Sequence, residues 1–287
     1  MLHFVPFAAL PVQVTTLHPL LNIRRLTGNI KADFAFIDQP LFSARACGLA
    51  HISIYRPTDI VEGRVANMRQ RRILERVDGV VATSDHVLNS LRLERDVPSM
   101  VMPNGVDLSH FEGSQLSGDM RRGVVYVGAI DKRFDWHQMV TAAQLSPHIN
   151  FDVYGPLTNE SSPLPSNISI MGTVQYEALP QLLRRYEVGV LPLADIPLNR
   201  GRSPMKLFEY LAAGLQVVVT STPTILKQAD GARGIKVVSP ADFAAAVASS
   251  LQQPIPTQDL ITEAREHTWI RKAAGLIDFA QELAPRS

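Results

Sequence analysis

A chain of 287 residues with 46% apolar and 19% charged residues has room for one large domain or two small ones and is too apolar to stay disordered. Its 28 Lys and Arg against 27 Asp and Glu leave a formal net charge of +1, which excludes a global field drawing it onto nucleic acid or an anionic membrane. The single cysteine, Cys47, excludes an internal disulfide framework and a cysteine-rich zinc site, and fits a reduced, cytoplasmic setting.

The opening segment MLHFVPFAALPVQVTTLHPLL is apolar but has no basic lead, and Pro6, Pro11 and Pro19 break its run. It does not read as a signal peptide. No run of about 18 uncharged apolar residues reads as a spanning helix. Membrane association, where there is any, is therefore expected to be peripheral, at the inner face of the plasma membrane.

Short β-branched runs then predict strands at Phe34 to Ile37, His51 to Tyr55, Gly79 to Thr83, Ser99 to Met102, Gly123 to Val127, Asn150 to Tyr154, Val188 to Leu193 and Gln216 to Thr220. Helical segments fall between many of them, at Glu62 to Arg76, Trp136 to Leu145, Tyr176 to Arg185 and Pro204 to Ala213. Strands alternating with helices predict an α/β fold with parallel sheets covered on both faces. The turn at Pro103, Asn104 and Gly105, followed by a stretch of little periodicity, marks a boundary. Residues 1–107 are read as one α/β domain and 108–265 as a second. The segment TEAREHTWIRKAAGLIDFAQELA predicts one long helix with an apolar stripe of Trp269, Ala273, Leu276, Phe279 and Leu283. It covers its own domain or, as residues 266–287, crosses back to the first.

The most informative stretch is RGRSPMKLFEYLAAGLQVVVT, from Arg200 to Thr220. Ser203 is placed to cap a helix, Pro204 to open it and Gly214 to end it. A helix start in the loop after a parallel strand offers amide donors and a positive dipole end to phosphate. Lys206, Arg200 and Arg202 add positive charge there. Glu209, three residues after Lys206, shares its face of the helix and is placed to accept ribose hydroxyls. Read alone, a Ser-Pro helix start and a Lys-Glu pair are equally a solvated surface.

The string SPMKLFEYLAAG followed by VVVT resembles the donor-binding helix of glycosyltransferases with the GT-B fold. The resemblance is to bacterial cell-surface polysaccharide transferases of family 4 type, or to the related xanthan-type glucuronosyltransferases. It implies two Rossmann-like domains, a nucleotide-sugar donor with UDP-sugar foremost, a glycan or lipid-linked acceptor, and no tightly bound cofactor. In family 4 two glutamates lie eight positions apart around this helix. Glu209 stands at the second, and Gly201 at the first, so the fit is better to the subgroup that lacks the first glutamate. Ser203, Met205 and Lys206 align with the donor loop.

Other strings are similar to the same families. VMPNGVDLSHF resembles the interdomain hinge, with Phe111 anchoring the linker. VVYVGAIDKRFDWHQMVTAA resembles the first strand-loop-helix of the donor domain; Gly128 allows close approach of a ligand, and Lys132 and Arg133 stand in for the basic pair expected at Ala129 and Phe134. Asp135 binds the sugar or caps the next helix. FDVYGP and MGTVQYEALPQLL resemble later strands and the nucleobase loop, where Val174 and Tyr176 lie near the base or pack. HISIYRPTDIVEG resembles the loop that carries the base in xanthan-type enzymes. Asp59 is the candidate catalytic base, with Glu62 as fallback; otherwise Asp59 caps the helix starting near Val61. In RVDGVVATSDHVLNSL, Ser84 and Asp85 read as helix capping. His3, His18, His51, His86 and His137 show no metal spacing.

The first domain resembles only the later half of its counterpart, because no GxG precedes a helix within residues 1–40. The expectation is an incomplete N-terminal Rossmann-like domain, through truncation, a misplaced start or a reduced variant. Two further readings of the donor half remain: a non-catalytic nucleotide-sugar-binding protein and a sugar-nucleotide 2-epimerase.

Overall fold

A computed structural model describes residues 31–38, 40, 44–113, 121–158 and 163–284. The apolar opening segment and part of the aperiodic stretch after the first boundary lie outside them. The chain divides into two compact units: the residues up to Pro103 together with those from Ala273, and Asn104–Lys272.

The first unit carries a parallel sheet in the order β1 (Ala32–Ile37), β2 (Ala50–Tyr55), β3 (Gly79–Ala82) and β4 (Ser99–Val101). Strands β2 and β3 are almost wholly buried, as a parallel sheet covered on both faces requires. Helix α1 (Arg64–Leu74) follows β2 and puts Gln70, Ile73 and Leu74 inward. It is shorter than the helix expected from Glu62. Gly63, at φ 96°, opens it with no side-chain cap, so Asp59 does not cap it. Helix α2 (Asp85–Ser90) does start as read, with the Ser84 hydroxyl accepting from the Val87 amide at 3.1 Å.

The second unit opens with α3 (Leu108–Phe111) and holds six parallel strands: β5 (Val124–Val127), β6 (Phe151–Tyr154), β7 (Ile168–Gly172), β8 (Val188–Leu191), β9 (Gln216–Thr220) and β10 (Ile235–Val238). Between them run α4 (Trp136–Leu145), α5 (Leu179–Leu183), α6 (Pro197–Arg200), α7 (Lys206–Ala212) and α8 (Pro223–Gln228), with α9 (Phe243–Gln252) and α10 (Thr257–Ala264) after β10. A single apolar core runs from Val106 to Ala264. The strand order is β10-β9-β8-β5-β6-β7. Strands leave β5 in one direction through β6 and β7, and in the other through β8 to β10. The neighbours β5 and β8 thus flank a topological switch point, where open α/β sheets leave a crevice beyond the strand ends.

The long helix expected after Thr262 is interrupted. Helix α10 gives way to a 3-10 turn at Arg265–His267, Thr268 is extended at φ −73° and ψ 149°, and α11 (Trp269–Glu282) follows. The interruption has a backbone cause. Val106 donates its N–H to the His267 carbonyl at 2.9 Å and its own carbonyl accepts from Trp269 at 3.0 Å, forming a parallel bridge between Val106 and Thr268. Beyond the break, Leu276, Phe279, Ala280 and Leu283 pack with Ile52, Ile54, Val81 and Met102. Gly79 leaves room for this: a Cβ there would stand 2.6 Å from Leu283 Cδ1.

Candidate active site

The site is built on the end of β5. Gly128 follows that strand, donates its N–H to the Tyr154 carbonyl at 2.8 Å and carries no side chain; a Cβ would stand 2.5 Å from Lys206 Cε and 2.9 Å from its Nζ. The Lys206 amine therefore lies over the strand end at the switch point. Gly155, ending β6, lies against the same peptide. At φ 140° its absent Cβ would sit 1.8 Å from the Gly128 carbonyl oxygen. Both glycines are needed where backbone meets backbone and a lysine tip.

Helix α7 is held over β5 and β8 by Tyr210, whose hydroxyl accepts from the Val127 amide at 2.9 Å and whose ring lies on Gly189, where a Cβ would be 2.3 Å from it. At its far end Ala213 is the cap and Gly214, at φ 78°, turns the chain. The Leu215 amide reaches the Tyr210 carbonyl at 2.9 Å and the Gly214 amide reaches that of Leu211 at 2.8 Å, a Schellman closure. Arg121 adds hydrogen bonds to the Gly214 and Ala213 carbonyls at 2.7 and 3.0 Å.

The near end differs from the expectation. Ser203 does not cap α7, and Pro204 does not open it. Met205 precedes the first helical residue, in αR conformation and with no side-chain cap. The carbonyls of Pro204 and Met205 accept from Leu207, Phe208 and Glu209. Ser203 is buried and turned to the start of its own unit: its hydroxyl accepts from the Asn104 amide at 2.9 Å, and its carbonyl accepts from Asn104 Nδ2 at 2.8 Å. Asn104 takes the hydroxyl that capping would have used.

Lys206 is half-buried, and Met205 beside it is 45% exposed. Burial lowers the Lys206 ammonium from its ordinary value; the Arg202 and Arg133 guanidinium groups push the same way, and Glu209 opposes them. Three cations are thus gathered at the end of β5, a field suited to a diphosphate. Arg133 is paired with a carboxylate. Asp131 binds it through Nε at 3.0 Å and Nη2 at 2.5 Å, and this hydrogen bonding holds the Asp131 carboxyl below the usual range. Asp135 is the cap of α4. One oxygen accepts from the Gln138 amide at 3.2 Å and the other from Gln138 Nε2 at 2.7 Å. Gln138 passes the contact on to Thr220, whose hydroxyl donates to its Oε1 at 2.6 Å. Of the two roles read for Asp135, the structure displays capping.

Glu209 lies half-buried, not in the packed interior, and burial raises its carboxyl while Lys206 and His110 lower it. Beside it stands Tyr176, read from the sequence as near the base or packing, paired with His110, which the sequence reading missed. The His110 ring stacks on Tyr176 at 4.1 Å and 8°, and its Nε2 meets the Tyr176 carbonyl oxygen at 2.9 Å. Tyr176 is 48% exposed, and the raised pKa of its phenol, due to burial and then to the charges of Glu209 and Asp107, places the pair near the carboxylate. Asp59 belongs to the other unit, on a bend after β2; it is half-buried and its Oδ1 accepts from the Ile60 amide at 3.1 Å. Glu62 is exposed. Among the described residues, no group of three or more His, Cys, Asp or Glu is placed to hold a metal ion, and no helix is long and apolar enough to cross a membrane.

Residues 121–253 match the family described as "Glycosyl transferases group 1". A relative in Bacillus subtilis (strain 168), TuaH, named as a glycosyltransferase of teichuronic acid biosynthesis, is 30% identical over 182 residues, 57% of this chain and 45% of that protein. The chain thus spans about half the length of the curated relative it matches. Among solved structures, sucrose-phosphate synthase from Thermosynechococcus elongatus matches at a TM-score of 0.70 and 17% identity, over 95% of this chain and 79% of that one. HepE of Anabaena in complex with UDP matches at 0.68 and 14%, over 93% and 83%. A glycosyltransferase from Rickettsia africae matches at 0.70 and 12%, over 100% and 85%. These likenesses establish the GT-B fold for this chain, with parallel sheets as read from the sequence.

Proposed function

We propose that this chain, which carries a group 1 glycosyltransferase domain, transfers a sugar from a nucleotide-sugar donor, a UDP-sugar foremost, to a glycan or lipid-linked acceptor in surface polysaccharide synthesis. The observation that carries the reading is Lys206 lying over Gly128 at the switch point with Glu209 on the same helix face. Lys206, with Arg202 and more weakly Arg133, neutralises the diphosphate and stabilises it as it leaves. Glu209 accepts ribose hydroxyls. The exposed Tyr176 ring beside it offers a face to the base. The UDP bound in the HepE complex and the teichuronic acid named for TuaH support the donor and the pathway class.

Asp59 takes the proton from the attacking acceptor hydroxyl, and configuration inverts; without that role the route is retaining. A lipid-linked acceptor brings the protein to the inner face of the plasma membrane as a peripheral partner. The test is calorimetric titration with UDP. Lys206→Ala removes a charged donor worth about 1.5–3 kcal/mol, so affinity falls about 10- to 100-fold. Unchanged affinity removes the phosphate assignment. Product analysis then separates transfer from epimerisation, which makes no glycosidic bond, and from binding alone. Asp59→Asn lowers turnover about 100-fold or more while UDP affinity holds.

A further inference from the structure

We propose that a cavity at the C-terminal end of α7 binds a small tetrahedral oxyanion of the phosphate class, held by Arg121, Arg184 and Arg265. The site lies at the other end of the helix from Lys206, and the proposal stands whether or not the cations there bind a diphosphate. The cavity, of about 170 Å³, is bounded by the end of α3, the end of α7 and the face of α10 that carries Thr257, Gln258 and Ile261. Leu108, Phe111 and Ile261 supply apolar wall, and Arg121, Arg184 and Arg265 bring three guanidinium groups to it. Among the described residues that line it, Glu112 carries the one carboxylate.

Each arginine is brought there separately. Arg121 donates through Nη1 to the Gly214 carbonyl at 2.7 Å and through Nη2 to the Ala213 carbonyl at 3.0 Å, just past the end of α7. Arg184, which ends α5 and is 9% exposed, donates from Nη2 to the Phe111 carbonyl at the end of α3. A Cβ on Gly113 would stand 3.8 Å from its Nη1. Arg265 ends α10 and is exposed. Carbonyl oxygens satisfy N–H groups but carry no net charge. Burial lowers the pKa of Arg121, and the Arg184 guanidinium nearby lowers it further by repulsion. Buried charges are ordinarily compensated by an opposite charge. Glu112 is exposed and supplies one negative charge against three positive ones, so a dianion restores neutrality. Guanidinium forks also match the oxygens of phosphate in geometry. Size selects a small ion: the space exceeds one water, about 30 Å³, and falls short of the roughly 300 Å³ of pockets for larger ligands.

The test follows melting temperature and titration calorimetry of the whole chain with inorganic phosphate, against chloride at equal ionic strength. The variants are Arg265→Gln, Gln258→Glu and Lys206→Ala. Arg265 and Gln258 are both exposed, so neither substitution disturbs the core. Gln258→Glu keeps the shape of the wall and sets a second negative charge in it. The expected result is a wild type whose melting temperature rises with phosphate. Arg265→Gln and Gln258→Glu each lose about tenfold in phosphate affinity, while Lys206→Ala keeps it within about twofold. A wild type that gains no more from phosphate than from chloride overturns the proposal. So does a phosphate affinity that both α10 variants leave unchanged. A response lost in Lys206→Ala and kept in the other two belongs to the donor loop, and it overturns the cavity site while the diphosphate reading stands.

Discussion

Asn104 grips Ser203 twice, amide to hydroxyl at 2.9 Å and carboxamide to carbonyl at 2.8 Å, so the first residue of the six-stranded unit positions the loop that leads into Lys206. Asn104→Ala removes the carboxamide bond and leaves the buried Ser203 carbonyl short of a partner, while the backbone amide keeps its bond to the hydroxyl. The expected cost is about 1–3 kcal/mol of unfolding free energy, read from urea denaturation. UDP affinity falls with it, because the donor loop loses one of its two ties to Asn104; an unaltered denaturation midpoint would show the carboxamide contact to be incidental.

Arg133 and Asp131 form a charge-assisted pair that occupies Nε and Nη2 of the guanidinium and offsets part of its charge. Asp131→Asn weakens that pairing. UDP affinity is expected to rise by about threefold to tenfold, whereas Arg133→Ala costs less than Lys206→Ala. Titration calorimetry of the three variants ranks them. If Arg133→Ala proves the most damaging, Arg133 is the principal phosphate ligand.

Gly155 separates sterics from conformational cost. Gly155→Ala places a methyl 1.8 Å from the Gly128 carbonyl oxygen, while Gly231, at φ 75°, has open space around it. Gly231→Ala should cost about 1 kcal/mol for the left-handed backbone alone. Gly155→Ala should cost well beyond that, about 3 kcal/mol or more. Guanidinium denaturation of both variants compares them, and equal losses would mean that β6 yields freely.

His267 stacks on Phe208 at 4.0 Å and 13°, and burial, with Lys272 next, pushes its pKa down from 6.5 to about 4. The unfolded chain then binds the proton more readily than the folded one. Stability is therefore unaffected above pH 6.5 and declines as pH falls from 6.5 toward 4. His267→Gln removes this dependence. A urea midpoint measured across that window should fall less steeply in the variant, and parallel slopes would show that His267 titrates normally in the fold.

Much of the fold was legible because parallel strands buried on both faces read as β-branched runs; β2, β3, β5, β8 and β9 are of this kind. The strands the sequence reading left out are β7 and β10, the two edges of the six-stranded sheet. Strand β7 is mostly exposed and β10 half-buried with a lysine inside it, so neither carries the apolar signal. That Lys206 and Glu209 share one helix face followed from their three-residue spacing. The Asn104–Ser203 link and the His110–Tyr176 stack join residues 99 and 66 positions apart, and no local pattern encodes such pairs. Thr268 was lost for the same reason: its helix-compatible neighbours hide a bridge to Val106.

That bridge has a consequence for biosynthesis. Val106 and Thr268 are paired, so the six-stranded unit leaves and rejoins the rest of the polypeptide at adjacent points, as an inserted module does. The unit of β1 to β4 is discontinuous: Leu276, Phe279, Ala280 and Leu283 pack over Ile52, Ile54, Val81 and Met102. On the ribosome that layer waits for α11 to emerge, whereas β5 to β10 of the inserted module have already been made.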